Sequence, residues 1–316
     1  MTTPAYECDL HCHTVRSDGN DTPKELIDNA VELGMKAIGI TDHDMVPPDT
    51  IEKNGRNLDI RDYAQKKGLN LVLGYEFSTD TYVDDVHIIG YELDWSSPAV
   101  REEVKRAEQS KSKAYEKLCE VLTQNGMPID FEKDILNYTD DKGEKKTREP
   151  EEVERKFIFE KMAEKGYAET WGEAKILVRD NPELNVRREK IDPLDTIDLI
   201  QEAGGIAVLA HPYLIDEIVE PEGQGKISRE EYIQRIIDRG LDGIEARYTY
   251  NKTSYKGNKS VEQIEQEIRK KYSDCLLISG GSDYHAGHKK GVENPRKIGE
   301  AGITFEQFNK IFSNKI

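Results

Sequence analysis

The chain has 316 residues, 36% hydrophobic and 34% charged, with a formal net charge of -17 at pH 7. That acidic balance argues against non-specific binding to a nucleic-acid backbone or an anionic membrane, both of which need a basic footprint; a phosphate substrate stays open, because bound divalent cations would dominate a site's local field. No apolar run is long enough to span a bilayer, and residues 1–7 lack the basic and apolar regions of a signal peptide, so a cytoplasmic location is expected.

Residues 6–13 read as a first strand, in which alternation sends His11 and His13 to one face and Cys12 to the other, where a small thiol suits a core. The SerAspGly turn that follows folds Asp18 back over the strand end. Thr22 as N-cap, Pro23 at the first helical position and Glu25 closing a capping box start a helix that Gly34 ends. Its apolar face is Leu26, Ile27, Ala30, Val31 and Leu33. A short apolar strand over 37–41 then delivers Asp42, His43 and Asp44. The polar stretch around 49–67 reads as a second helix. Strands over 70–78 and 86–93 carry Glu76 and His87, and their short link makes them a hairpin.

From 97 to 190 the pattern changes: charge becomes dense and helices are readable over about 98–125 and 150–165. Residues 140–146 read as an exposed turn or hairpin tip, and the charged runs as solvated helix faces. We therefore expect a barrel domain from 1–96 and 191–316, with 97–190 as an inserted, mainly helical subdomain. The strand and helix rhythm resumes with Asp192 capping a helix at Pro193. A strand over 206–212 ends on His211. Capping boxes at Ser228/Glu231 and Ser260/Gln263 open two further units, which deliver Glu245 and then Asp283 and His285. A last helix runs from Thr304 to about Ser313. Such repeats indicate an α/β barrel, parallel or mixed, with right-handed crossovers. The length suits one barrel with an insertion. The four cysteines, Cys8, Cys12, Cys119 and Cys275, form no CxxC, which speaks against a disulfide framework or a zinc ribbon.

Nearly every histidine falls at a strand end or in the turn after it: His11, His13, His43, His87, His211 and His285, accompanied by Asp18, Glu76, Asp283 and Glu245. His288 reads as surface. In a barrel of this kind the strand ends form the mouth where the active site lies. Imidazole and carboxylate without thiolate suit Zn, Mn or Fe, and the number of candidates exceeds what one ion takes, so two or three divalent ions are implied. Closely spaced cations are a common device for hydrolysing phosphate esters.

Taken in order, AspLeuHisCysHisThr, SerAspGly, ThrAspHisAsp, GlyTyrGluPheSer, ValHisIleIleGlyTyr, LeuAlaHisPro, GlyIleGluAla and GlySerAspTyrHis resemble the motifs of the PHP (polymerase and histidinol phosphatase) superfamily. The resemblance spans both barrel halves. It is nearest to the stand-alone phosphoesterase branch with a helical insertion, which includes nucleotide phosphatases and phosphoribosyl cyclic phosphate hydrolases. It implies a distorted (β/α)7 barrel and a trinuclear centre. One ion would sit on His11, His13, Glu76 and Asp283, with Glu76 bridging to a second ion on His87 and His211. A third would sit on Asp18, His43 and His285, the set expected to be catalytic with a metal-bridging hydroxide that attacks phosphorus in line. Asp42 and Glu245 would orient metal-bound imidazoles, an ion pair with Arg247 being the other reading of Glu245.

The segment 154–167 resembles that branch's ArgxHis segment, but only Arg155 matches, and Phe157 stands where a histidine is usual. Arg16, Arg155, Arg188, Lys190 and Arg247 are candidate phosphate ligands, since guanidinium forks match phosphate oxygens; each also suits a surface ion pair. Tyr248, Tyr250 and Tyr284 would stack on a base or sugar, or pack the barrel rim. The resulting expectation is a metal-dependent phosphoesterase acting on a small phosphorylated metabolite of nucleotide or phosphoribosyl cyclic phosphate type. A histidinol-phosphate-type phosphatase and a short-RNA 5′-3′ exonuclease are the alternatives, long nucleic acid being a poor match to the charge. An amidohydrolase-like C–N hydrolase would use a similar barrel with a carbamylated lysine, and no lysine sits at the matching strand ends. A non-catalytic module stabilised by metal is the reading from another class.

Overall fold

The structure is a computed structural model that describes residues 4–139, 143–286 and 294–313. It has two compact units, one taking the chain up to Val104 and from Ile191, the other Lys105–Lys190.

The first unit is a seven-stranded, nearly closed sheet. Its strands are β1 (Cys8–Asp9), β2 (Ala37–Ile40), β3 (Asn70–Ser78), β4 (His87–Tyr91), β5 (Ile206–Leu209), β6 (Gly243–Arg247) and β7 (Leu277–Gly280), each beside the next. Pairing is parallel except around β4, which runs antiparallel to both β3 and β5. The short link after Ser78 leaves no room for a crossover helix, and a direct reversal is what such a link permits. Regular pairing in β1 is shorter than the sequence suggests. Beyond Asp9 the chain closes the barrel by bridging to the end of β7 and the segment after it: Leu10 N–H donates to the Gly280 carbonyl at 3.3 Å, and His13 N–H to that of Tyr284 at 2.8 Å. Gly281 permits this closure, because a Cβ there would stand 2.2 Å from Cβ of His11.

Alternation along β3 shows how the barrel divides its residues. Leu71 and Leu73 join the cluster under α1 (Pro23–Glu32), with Leu26, Ile27 and Ile40. Val72 joins Leu10, Ile89, Tyr91 and Val208 in a cluster that also takes Phe308 and Phe312 of the C-terminal helix, Phe305–Phe312. Glu76 has the parity of Val72 and so stands above that inner column. The capping boxes at Thr22/Glu25, Ser228/Glu231 and Ser260/Gln263 all form. The polar stretch at 49–67 differs from the reading as one helix. It is a hairpin, Thr50–Lys53 with Arg56–Asp59, followed by the short helix α2 (Ile60–Lys66). Asn54 and Gly55 supply the two positive φ angles, 53° and 72°, that a tight turn of mirror-image type requires.

The second unit has its own core. Leu118, Cys119 and Leu122 of α3 (Pro98–Gln124) pack with Ile158, Phe159 and Met162 of α4 (Arg155–Glu164) and with Ala174 and Val178 of α5 (Trp171–Asp180). The sequence reading missed α5: Trp171, Ile176 and Leu177 are exposed on it, so its apolar residues mark no single face. A two-stranded ribbon pairs Asn137–Thr139 with Lys145–Thr147; the expected turn at 140–146 lies partly outside the described residues, as does His288. Among the described residues no helix is long and apolar enough to cross a membrane.

Candidate metal centre

Five histidines from four segments converge on the fully buried carboxylate of Glu76. Nε2 of His11 and Nε2 of His13 stand 3.1 and 3.2 Å from its Oε2, and Nδ1 of His43 stands 3.0 Å from the same atom. Nδ1 of His87 and Nε2 of His211 take the other oxygen, Oε1, at 2.9 and 3.1 Å. Strand parity brings His11 and His13 here while Cys12 packs with Leu26 and Ile27. His211 arrives differently: a left-handed backbone with φ 28° turns it at the end of β5. Asp283, also left-handed at φ 54°, sets Oδ1 3.0 Å from Nε2 of His13 and 3.6 Å from Nε2 of His11. Asp18 lies 3.0 Å from Nε2 of His285 and 3.8 Å from Nδ1 of His13. The donor atoms form overlapping groups: His11, His13 and Glu76; His43, Glu76 and His87; and His13, Asp18, His43 and His285.

The electrostatics follow from burial set against crowding by opposite charge. Burial would raise Glu76, but the imidazoles of His43, His11 and His87 outweigh it and hold the carboxyl well below its ordinary range. Burial likewise opposes a charged His11, yet Glu76, Glu245 and Asp283 push it well above the usual imidazole value. His43 rises to about 10, again against burial, chiefly through Glu76. Asp283 is held far down, its burial overcome by His11 and His285.

Around these groups the structure supplies orienting contacts. Glu245 Oε1 stands 3.3 Å from Nδ1 of His11, and its Oε2 accepts the His211 backbone N–H at 2.8 Å. Among the described residues Asp42 pairs with no imidazole directly. It accepts hydrogen bonds from Thr14 N–H and Oγ1, both at 2.7 Å, and from Ser17 Oγ at 2.6 Å; Ser17 Oγ in turn stands 3.4 Å from Nδ1 of His13. Arg247 is not at the cluster. A register shift between Glu245 and Arg247 sends its guanidinium outward to pair with Glu265, 4.2 Å from the Tyr6 ring centroid. Its reading as a phosphate ligand is withdrawn, and so is its pairing with Glu245. The tyrosines are likewise unavailable for stacking on a substrate. Tyr248, Tyr250 and Tyr284 are buried; Tyr248 donates to Asp283 Oδ2 at 2.5 Å, and Tyr284 to Asp21 at 2.8 Å. Arg16 lies exposed between His13 and Asp18 in the chain and donates to the Val46 carbonyl at 3.0 Å. Arg155, Arg188 and Lys190 belong to the helical unit. Arg155 is half-buried at the first turn of α4, and that burial lowers its pKa.

Arg296 escaped the sequence reading. Its Nη1 is 2.6 Å from Asp283 Oδ2, donates to the Asp283 carbonyl at 2.9 Å and stands 3.3 Å from Nδ1 of His285. It lies in an aperiodic stretch after Asn294 and Pro295, and the only available signal was its nearness in sequence to His285.

A family comparison matches residues 9–169 to the PHP domain. The chain belongs to that family. It is 30% identical over 215 residues to a 5′-3′ exoribonuclease of Salmonella typhimurium, covering 67% of each chain. It is 25% identical over 285 residues to a 3′,5′-nucleoside bisphosphate phosphatase of Chromobacterium violaceum, covering 90% of this chain and 88% of that one. A solved structure from Bifidobacterium adolescentis, assigned as a metal-dependent phosphoesterase, superposes with a TM-score of 0.63 at 25% identity, covering 100% of this chain and 98% of the other. This PHP-family chain is accordingly a hydrolase of phosphate esters.

Its donor set fits metal. Among the described residues, Nε2 of His13 and Nδ1 of His43 are buried without hydrogen-bonding geometry to any partner, although carboxylate oxygens lie close by. Buried polar atoms left in that condition are costly unless a ligand takes them. Imidazole nitrogens, once deprotonated, together with carboxylate oxygens are the donors that Zn, Mn and Fe accept.

Proposed function

We propose that this PHP-family enzyme removes a phosphate from a small nucleotide at a cluster of two or three divalent cations. His11, His13, Asp18, His43, Glu76, His87, His211, Asp283 and His285 would hold them. Bound there, the cations supply Lewis acidity toward a phosphoryl oxygen and lower the pKa of water. The observation that carries the reading is the division of five imidazoles between the two oxygens of Glu76. One carboxylate set between two nitrogen groups suits a bridging ligand, and the remaining carboxylates, Asp18 and Asp283, flank the same pocket of donors.

The chain's own residues prepare that pocket. Tyr248 and Arg296 engage Asp283 through Oδ2, which leaves Oδ1 toward His11 and His13. Glu245 engages Nδ1 of His11 and so directs Nε2 toward Glu76. Ser17, fixed by Asp42, does the same for His13. Asp18, His43 and His285 form the group proposed to face the reacting phosphate. Arg16, Arg155, Arg188 and Lys190 remain the candidate phosphate contacts.

The similarity to a nucleoside bisphosphate phosphatase along 90% of the chain supports a nucleotide substrate. The test is a phosphate-release assay on protein reconstituted with Mn, Fe or Zn. The panel holds nucleoside 5′-monophosphates and 3′,5′-bisphosphates, a phosphoribosyl cyclic phosphate, histidinol phosphate and a short 5′-phosphorylated RNA. Turnover greatest on a nucleotide is expected; no turnover of any member with any metal would contradict the proposal. A second reading, trimming of short RNA from its 5′ end, is favoured by the 30% identity to an exoribonuclease. Mononucleotide release from the RNA at a higher kcat/KM than any small substrate would select it.

A further inference from the structure

Arg148 follows the ribbon strand Lys145–Thr147 in the helical unit. The carbon of its guanidinium lies 3.9 Å from the ring centroid of Tyr138 and 4.1 Å from that of Phe157. Its Nη1 donates to the Ile135 carbonyl at 2.9 Å. Among the described residues this guanidinium has no other hydrogen bond and no ion pair. That is unusual company for an arginine in a chain with 62 acidic and 45 basic residues. Other surface arginines of the chain pair readily, as Arg179 does with Asp180 and Arg239 with Asp198. Glu149 and Glu152 are close in sequence, yet Glu152 turns back to accept the Glu149 backbone N–H at 2.9 Å.

The geometry limits what Arg148 can do. With the Tyr138 and Phe157 rings both within about 4 Å of the guanidinium carbon, little room is left for a nucleobase to stack against it. What remains is its in-plane edge, the N–H groups of Nε and Nη2, which match two oxygens of a phosphate or carboxylate. The rings and the Ile135 carbonyl hold the planar group in place beforehand, so little side-chain freedom is left to lose on binding. Phe157, which stands where the resemblance called for histidine, is one wall of this holder.

We infer that Arg148 is an oxyanion receptor of the helical unit, clamped between Tyr138 and Phe157 to take a phosphate group of a nucleotide along its N–H edge. The choice of phosphate over carboxylate rests on the phosphoesterase reading above; the receptor geometry stands apart from it.

Full-length protein, stripped of metal by chelation, is titrated calorimetrically with adenosine 3′,5′-bisphosphate, AMP and inorganic phosphate as wild type, R148Q and R148K. Saturable binding by the wild type is expected, at least for the bisphosphate. R148Q should weaken it about tenfold or more, the scale of a lost charge-assisted hydrogen bond. R148K keeps the charge but lacks the fork, and should weaken it as well. Thermal unfolding of each variant runs alongside, and R148K carries the test if R148Q does not fold. Equal affinity in all three proteins, or no saturable binding of any probe by the wild type, overturns the receptor. A lowered melting temperature with unchanged affinity would make Arg148 a packing brace and also overturn it. Hydrolysis of p-nitrophenyl phosphate by the metal-loaded wild type reports on the barrel separately. Its absence beside Arg148-dependent binding would count against the phosphoesterase reading and leave the receptor in place.

Discussion

The barrel mouth and the helical unit are both dense in charge, and the two treat it in opposite ways. In the helical unit Lys117 meets Glu120, Lys156 meets Glu160 and Lys161 meets Glu164 at helical spacing in solvent. Such pairs add about 0.3–0.5 kcal/mol each and mainly keep a surface wet. At the barrel mouth His11, His13, Glu76 and Asp283 are buried together. Groups taken out of water in that number are retained for what they bind, because a packed apolar substitute would hold the fold as well.

The largest difference between the regions should appear on removing one charge. Glu76→Gln keeps the volume but removes the anion shared by five imidazoles. On the proposed reading, phosphate release falls about a thousandfold, corresponding to several kcal/mol of lost charge stabilisation, and elemental analysis finds less metal. In the helical unit the corresponding weak point is apolar. Ile158→Ala, in a fully buried position, should destabilise that unit by about 2–5 kcal/mol in denaturant unfolding while metal content holds. Loss of metal from that variant would erase the contrast.

The barrel's design was legible because its signals are local. Thr22, Ser228 and Ser260 announce helix starts through capping boxes, and runs such as 206–212 end on ligand-type residues. Alternation alone sends His11 and His13 together and Cys12 away. Arg247 was misread because side-chain direction at irregular backbone does not follow period. The bulge after Glu245 turns it out to Glu265. The hairpin at 50–59 was signalled by Asn54–Gly55 and hidden by the polarity around it. Arg296 and the sandwich around Arg148 join residues far apart in sequence or of unremarkable pattern, so only the fold reveals them.

Smaller effects sharpen the contrast. Glu245→Ala should lower metal affinity about 10–100-fold without removing a proposed ligand, since it takes away the group that orients His11; calorimetric metal titration measures this. An outer carboxylate of the barrel gives a pH signature instead. Burial would raise Asp28, but hydrogen bonds from Lys24, Lys67 and Tyr63 bring its pKa down to about 2 from an ordinary 3.8. A lowered folded-state pKa means stability present above the ordinary value and lost as pH falls from about 4 toward 2. The margin of wild type over Asp28→Asn in thermal melts should therefore shrink over that window, and only slightly, because the pairs are partly exposed. Least of all, Lys161→Gln should change stability by under about 0.5 kcal/mol.

The central claim is that the imidazoles and carboxylates around Glu76 form a multinuclear metal site on which phosphate-ester hydrolysis depends. Chelator-stripped protein, titrated back with Mn, Fe or Zn while bound metal and phosphate release are followed together, tests it directly. The account predicts no turnover in the stripped protein, and turnover that returns as uptake passes one ion per chain. Full turnover without metal, or none after saturation with each ion on a substrate panel, would contradict it.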